Sequence, residues 1–134
     1  MRIGDTRRGV IGWALAFGLA GAALPAMAHH SFDAEYDDSK ITTLTGIVTN
    51  VEWINPHAFI TISFKDESGA TKEFKVELGP PYALTRGGWK RDTVKIGDKI
   101  TMQDTALAKN GSNRAGSTQN TFLIRANGQK LPMR

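Results

Sequence analysis

The 134-residue chain is short and basic, with 17 Lys and Arg against 13 Asp and Glu and a formal net charge of +4. It contains no cysteine, which excludes disulfides, thiolate metal sites and a cysteine nucleophile. A chain of this length forms one small domain, whose core must be held by packing alone.

The N-terminal region has the layout of a cleaved signal peptide. Arginines come first, an apolar run over residues 10–24 follows, and the small residues Ala26 and Ala28 occupy both positions recognised for cleavage. The apolar run has about 15 residues, whereas a membrane-spanning helix needs about 20. We therefore expect cleavage between Ala28 and His29, no stable membrane anchor, and a periplasmic or secreted protein. The paired arginines are compatible with both the general and the twin-arginine export routes.

Cleavage at this point leaves 106 residues with 14 basic and 12 acidic side chains, a net charge of +2. This charge is too small to support nucleic-acid binding. We expect three parts in the chain: the signal peptide (1–28), an N-terminal extension (29–40) and a single β-barrel domain (41–134).

Period-two alternation of apolar and polar residues predicts half-buried strands over residues 57–64 and 73–78. The polar, glycine-containing segment 66–69 between them predicts a hairpin loop. Upstream, residues 44–54 are rich in β-branched side chains and predict a further strand, in which Gly46 indicates a bulge or a sharp bend.

A short helix is predicted next, because Pro80 and Pro81 suit a helix start and two glycines follow at Gly87 and Gly88. Residues 99–103 and 121–126 predict two more strands, separated by a polar, mobile loop over residues 110–118. Alternation places the following residues in the core: Ala58, Ile60, Ile62, Phe64, Phe74, Val76, Leu78, Ile100 and Met102.

Three strands, a short helix and two strands indicate an all-β chain forming a small five-stranded OB-like barrel. An open β-sandwich is the alternative. Neither architecture by itself determines a function.

The histidines suggest a copper site. Cleavage after Ala28 would place a free α-amino group and an imidazole on His29, next to His30, and such nitrogen ligands suit Cu(II). The remaining histidine is His57, in the sequence Asn55-Pro56-His57, and a terminus folded back onto the domain would bring the three together. The alternatives are a disordered N-terminal tail and an ordinary surface histidine.

A ligand or partner surface is the second candidate site. Asn55, Trp53, Tyr82 and Trp89 lie near turns or the short helix, where aromatic and amide side chains can line a recognition surface. The same residues also suit a structural turn and the core. The sequence contains no recognisable catalytic arrangement, so an enzymatic activity is not predicted.

Several motifs together resemble an uncharacterised family, a domain of unknown function, of small exported bacterial proteins. They are His29-His30-Ser31-Phe32, Gly46-Ile47-Val48, Trp53-Ile54-Asn55-Pro56-His57, Val76-Glu77, Leu84-Thr85-Arg86-Gly87-Gly88-Trp89 and Ile96-Gly97-Asp98. The resemblance implies export and a compact β-rich domain with no assigned activity. Two functions remain open: an exported copper-binding module, or a metal-free domain that binds a protein or a small ligand.

Overall fold

The computed structural model describes residues 32–134, so the predictions for the signal peptide, its cleavage site, His29 and His30 lie outside the described residues. After a helical turn over residues 32–35, this part of the chain forms six strands and one short helix: β1 (Tyr36–Glu52), β2 (Phe59–Lys65), β3 (Thr71–Glu77), α1 (Pro81–Arg86), β4 (Lys99–Ala108), β5 (Arg114–Arg125) and β6 (Lys130–Pro132). The prediction of a mainly β chain with one short helix is confirmed. Within residues 32–134, no helix is long and apolar enough to span a membrane.

The strands form one sheet in the order β3-β2-β1-β4-β5-β6, with antiparallel neighbours. An additional parallel pairing between β3 and β5 closes five of the described strands into a ring. Three residue pairs make this closure: Lys75 with Arg114, Val76 with Ala115, and Glu77 with Gly116. The closure pairs part of two strands that would otherwise present unpaired backbone groups at the sheet edges.

The core packs where the inward faces of the strands meet, with Leu84 of α1 and Trp89 buried in the same cluster. Seven of the nine side chains predicted to be in the core are buried. The two exceptions, Phe64 and Phe74, are half-buried. Phe64 lies one residue before the end of β2, and its ring packs on that of Phe74 with centroids 5.9 Å apart.

Gly46 allows a close backbone approach and is not itself a bulge. It pairs in register with Ile100, whereas the irregularity between β1 and β2 falls between Val48 and Asn50. A Cβ atom at Gly46 would lie 2.5 Å from the backbone oxygen of Ser63. Glycine is required at this position because a neighbouring strand leaves no room for a side chain.

The predicted loop over residues 110–118 is wrong in its second half, because β5 already begins at Arg114. The first residues of β5 pair with β3 on one side and with β4 on the other. The small residues that suggested a loop are needed for packing: a Cβ at Gly116 would lie 2.5 Å from the Phe32 ring. Strand β6 was not predicted. Residues 36–40, assigned above to the extension, form the start of β1.

The predicted hairpin loop between β2 and β3 is confirmed, with Gly69 in a left-handed conformation at φ of 82°. Asp66 organises this loop. Its carboxylate accepts hydrogen bonds from the backbone N–H and hydroxyl of Ser68 and from the N–H of Ala70, and it pairs with Lys72 at 3.1 Å. The bonds from Ser68, followed by the contact with Lys72, lower the pKa of Asp66 from 3.8 to about 2.

Because the lowered pKa belongs to the folded state, Asp66 stabilises the protein above its ordinary pKa and loses this effect as the pH falls through about 2. The free energy of unfolding should therefore fall between about pH 4 and pH 2 as Asp66 becomes protonated. We expect Asp66→Asn to lack this contribution to the fall, as measured by urea denaturation at each pH. The exposed Asp38 provides the control Asp38→Asn. Identical acid profiles for wild type and Asp66→Asn would contradict the prediction.

Candidate functional site

A buried carboxylate, that of Glu77, links three separate parts of the chain. Glu77 is the last residue of β3 and is 7 % exposed. The Tyr36 hydroxyl donates to Oε2 at 2.8 Å, and His57 Nδ1 lies 2.6 Å from Oε1. Each carboxylate oxygen therefore has a partner, as expected for an acidic group removed from water.

Tyr36 joins this carboxylate to a basic side chain. Burial, together with the hydrogen bond to Glu77, raises the pKa of Tyr36 far above its ordinary value, so the phenol remains protonated and acts as a donor. Arg114 approaches the phenol oxygen at 3.4 Å through Nη2 and the carboxylate of Glu35 at 3.4 Å through Nη1. The resulting network runs from Glu35 through Arg114 and Tyr36 to Glu77 and His57.

The segment that carries Tyr36 is fixed to the sheet by aromatic packing. Phe32 and Tyr36 are both buried, with ring centroids 4.8 Å apart. Both rings lie against Gly116 of β5, where any side chain would collide with them. The N–H of Lys109 also donates to the Glu35 carbonyl at 2.9 Å. The described N-terminal residues are therefore part of the domain and lie beside the Glu77 carboxylate.

His57 lies in the connection between β1 and β2, directly after the cis Asn55–Pro56 bond. Backbone hydrogen bonds hold the next residue, Ala58, to Leu78 and Gly79 at the end of β3. The imidazole is 22 % exposed. With Nδ1 bound to Glu77, Nε2 is the ring nitrogen left to contact a ligand, and among residues 32–134 it has no hydrogen-bond partner.

An open cleft of about 600 Å³ lies next to His57. Its walls come from the β1–β2 connection, the start of α1, β5 and the last residue of the chain: Asn55, Pro56, His57, Pro80, Tyr82, Ala83, Gln119 and Arg134. Tyr82 is 65 % exposed there. The cleft thus combines a flat apolar wall with amide, imidazole and guanidinium groups.

Arg134 reaches this cleft because the segment after β6 packs on Gly79. The N–H of Gly79 donates to the Met133 carbonyl at 2.9 Å, and a Cβ at Gly79 would lie 2.9 Å from the Arg134 Cα. The Arg134 guanidinium donates to the Ser117 carbonyl at 2.8 Å and stacks over the Phe32 ring at 4.3 Å. This contact connects the cleft to the anchored N-terminal segment.

The structure brings three of the predicted site residues to one place and separates two others. Asn55, His57 and Tyr82 line the same cleft. Trp89 is a core residue, 3 % exposed, and its indole N–H donates to the Pro132 carbonyl at 2.7 Å. Trp53 is half-buried against Trp89, with ring centroids 6.4 Å apart, and lines a different groove.

Three residues of the site were not predicted from the sequence: Glu77, Tyr36 and Arg134. Glu77 falls on the polar side of a strand that alternates regularly, so its pattern is that of an exposed residue. Tyr36 and Arg134 lie near the two ends of the region that the structure describes, outside any motif. Tyr36 and Glu77 are far apart in the chain and become partners only in the folded protein. Their contact therefore leaves no local signal in the sequence.

No group of three or more His, Asp or Glu side chains within residues 32–134 is arranged to hold a metal. His57 is the histidine of the candidate copper site that falls in this region, so the described residues supply one of its three predicted ligands.

Residues 16–119 match the model of a family described as "Family of unknown function (DUF6152)". The chain belongs to DUF6152. This confirms the resemblance to a domain of unknown function. The DUF6152 match includes Tyr36, His57 and Glu77 and stops before Arg134. Searches of curated proteins and of solved structures found no match.

Proposed function

We propose that this DUF6152 protein is an exported periplasmic binding domain that holds one Cu(II) ion through His57 and the N-terminus formed by cleavage before His29. The contact between His57 Nδ1 and Glu77 Oε1, at 2.6 Å, carries the proposal. Metal-binding histidines commonly donate one ring N–H to a carboxylate, which orients the ring and makes the other nitrogen a better ligand. His57 has this arrangement at the wall of an open cleft.

The length of chain between the histidines and the domain supports the proposal. Phe32 is anchored against Gly116 and contacts Arg134, which lines the same cleft as His57. His30 precedes Phe32 by two residues and His29 by three, and an extended chain spans about 3.3–3.6 Å per residue. The proposal therefore requires a span of only two or three residues of chain from the anchored Phe32 to these histidines.

Copper is the metal that best matches the available donors. Cleavage would free the α-amine of His29, and the amine and the three imidazoles are nitrogen ligands of the kind Cu(II) prefers. The chain has no cysteine to favour a softer site. The ion would therefore be held by amine and imidazole nitrogen.

The closed ring of strands supports the finer fold assignment, which we include in the proposal: a five-stranded OB-like barrel. Its strand order matches the pattern of three strands, a short helix and two strands. In this arrangement β6 is an addition at the edge next to β5. The cleft then lies at one end of the barrel, beside α1.

Copper titration of periplasmically expressed protein, with its N-terminus at His29 verified by intact mass, tests the proposal. We expect one bound Cu(II), an electron paramagnetic resonance signal of nitrogen ligation, and a rise in thermal stability. A ligand at about 100 times its Kd stabilises the native state by about 2.7 kcal/mol. His57→Ala should abolish this stabilisation and leave the weaker binding of His29 and His30.

Two controls separate a site on the folded domain from a tail site. One is a synthetic peptide of residues 29–35, which carries the tail histidines alone; the other is a protein with one extra residue ahead of His29, which blocks the amine. If the peptide, His57→Ala and the mature protein share one spectrum and one affinity, the copper site on the domain is wrong. The cleft lined by Asn55 and Tyr82 then favours the second candidate, a metal-free domain that binds a small ligand or a protein.

A further inference from the structure

The charged side chains at the cleft beside His57 are of one sign. Among the described residues that line it, Arg134 is the permanent cation and none is Asp or Glu. The nearest carboxylate of the network, Glu77, is already engaged by Tyr36 and His57. Arg86 adds a second positive charge at the rim, since its guanidinium lies 5.7 Å from the centre of the Tyr82 ring. In the metal-free protein these side-chain charges favour an anion.

The Arg134 guanidinium is held in place but keeps donors available. Its Nη1 donates to the Ser117 carbonyl, and its plane lies over the Phe32 ring. A guanidinium carries five N–H donors in a planar fork that matches a carboxylate. Because these two contacts already restrict the side chain, little further conformational entropy is lost when an anion binds.

The rest of the cleft matches a flat organic body. Pro56, Pro80 and the exposed ring of Tyr82 supply apolar surface, and the side-chain amides of Asn55 and Gln119 can accept or donate hydrogen bonds. The volume of about 600 Å³ lies within the range of small-molecule sites, about 300–1,000 Å³. An inorganic anion would leave this apolar wall without a partner.

We infer that the cleft binds a small organic carboxylate with a flat ring, its carboxylate on Arg134 and its ring against Tyr82 and the two prolines. This binding does not depend on copper, because none of the groups that make it belongs to the proposed metal ligands. The metal-free protein is thereby assigned one class of ligand, a flat organic carboxylate.

Amide chemical-shift titration of the folded protein in the presence of EDTA tests this inference, with benzoate, benzamide and benzylamine as probes. We expect saturable shifts at Ala83 and Gln119 with benzoate. Benzamide has the same shape without the charge and should bind at least about tenfold more weakly, since charge-assisted hydrogen bonds to Arg are the stronger kind. Benzylamine should not bind at this cleft.

Variants assign the binding to its groups. Arg134→Gln should weaken benzoate binding at least about tenfold, whereas Arg125→Gln, at the end of β5 and outside the cleft, should leave it unchanged. Tyr82→Ala should weaken benzoate and benzamide alike, and Tyr82→Phe should retain both. Tyr82 is largely exposed, so these two variants should fold normally.

Three results would overturn the inference: equal affinity for benzoate and benzamide, undiminished benzoate binding by folded Arg134→Gln, or no shifts at the cleft with benzoate at millimolar concentration. If Arg134→Gln does not fold, the comparison of benzoate with benzamide on the wild-type protein still decides. EDTA removes metal throughout this experiment. A failure to bind benzoate therefore does not bear on the copper site, and a failure to bind copper does not bear on the benzoate site.

Discussion

Ile62→Ala is expected to lower the free energy of unfolding by about 2–5 kcal/mol. Ile62 is 0 % exposed, lies in the middle of β2 and pairs with Val48 on one side and Phe74 on the other. Removing three of its carbons forfeits buried apolar contacts and leaves a cavity in a core that five strands enclose. Urea denaturation measures the effect as a lower midpoint with an unchanged slope.

The neighbouring strand offers the same substitution at an exposed site. Ile47 in β1 pairs with Ser63, the residue after Ile62, but its side chain is 42 % exposed. Ile47→Ala should cost less than about 1 kcal/mol, because only strand propensity and partial packing are lost. Similar costs for the two variants would contradict the assignment of Ile62 to the interior of the ring.

Glu77→Gln is expected to weaken Cu(II) binding about 10- to 100-fold, the usual cost of losing a carboxylate behind a metal-binding histidine. The amide has the same size, so its oxygen can accept from His57 Nδ1 and its NH₂ can donate to the Tyr36 oxygen. The hydrogen bond from His57 is therefore retained, the bond with Tyr36 reverses its direction, and the negative charge is removed. Titration calorimetry with copper measures the change.

Glu73→Gln is the matched control, because Glu73 lies four positions earlier on β3 and is exposed. It should bind copper as the wild type does. Unchanged copper affinity in a folded Glu77→Gln variant would show that the carboxylate does not act on a metal ligand. The contact between His57 and Glu77 would then be structural only.

The sequence predicts the elements whose signals are local. Alternation identified β2 and β3, and the double proline and double glycine marked α1, because each depends on neighbouring residues. The start of β5 was missed because Gly116 and Ser117 resemble a loop in sequence, and only the rings of Phe32 and Tyr36, far away in the chain, require small residues there.

The same distinction applies to the site. Asn55, His57 and Tyr82 were found because a turn and a helix start are visible in sequence, and the structure brings them to one cleft. Glu77 has the periodicity of a surface residue, and its burial depends on partners from two other segments. Trp53 and Trp89 were placed near turns, but their rings serve packing around the end of the core.

The short pairing of β3 with β5, which closes the ring, is expected to form late in folding. Hairpin contacts such as β2 with β3 join residues close in sequence, whereas β3 and β5 are distant, and distant contacts form at a greater entropic cost. His57 and Glu77 meet when β2 and β3 pair. Tyr36, in contrast, is held by strands that come later in the chain, since it pairs with the end of β4 and packs on Gly116 of β5. The network around Glu77 is therefore complete only after the ring has closed. A ligand that needs this network would bind the fully folded chain and select against intermediates in which only the first strands have paired.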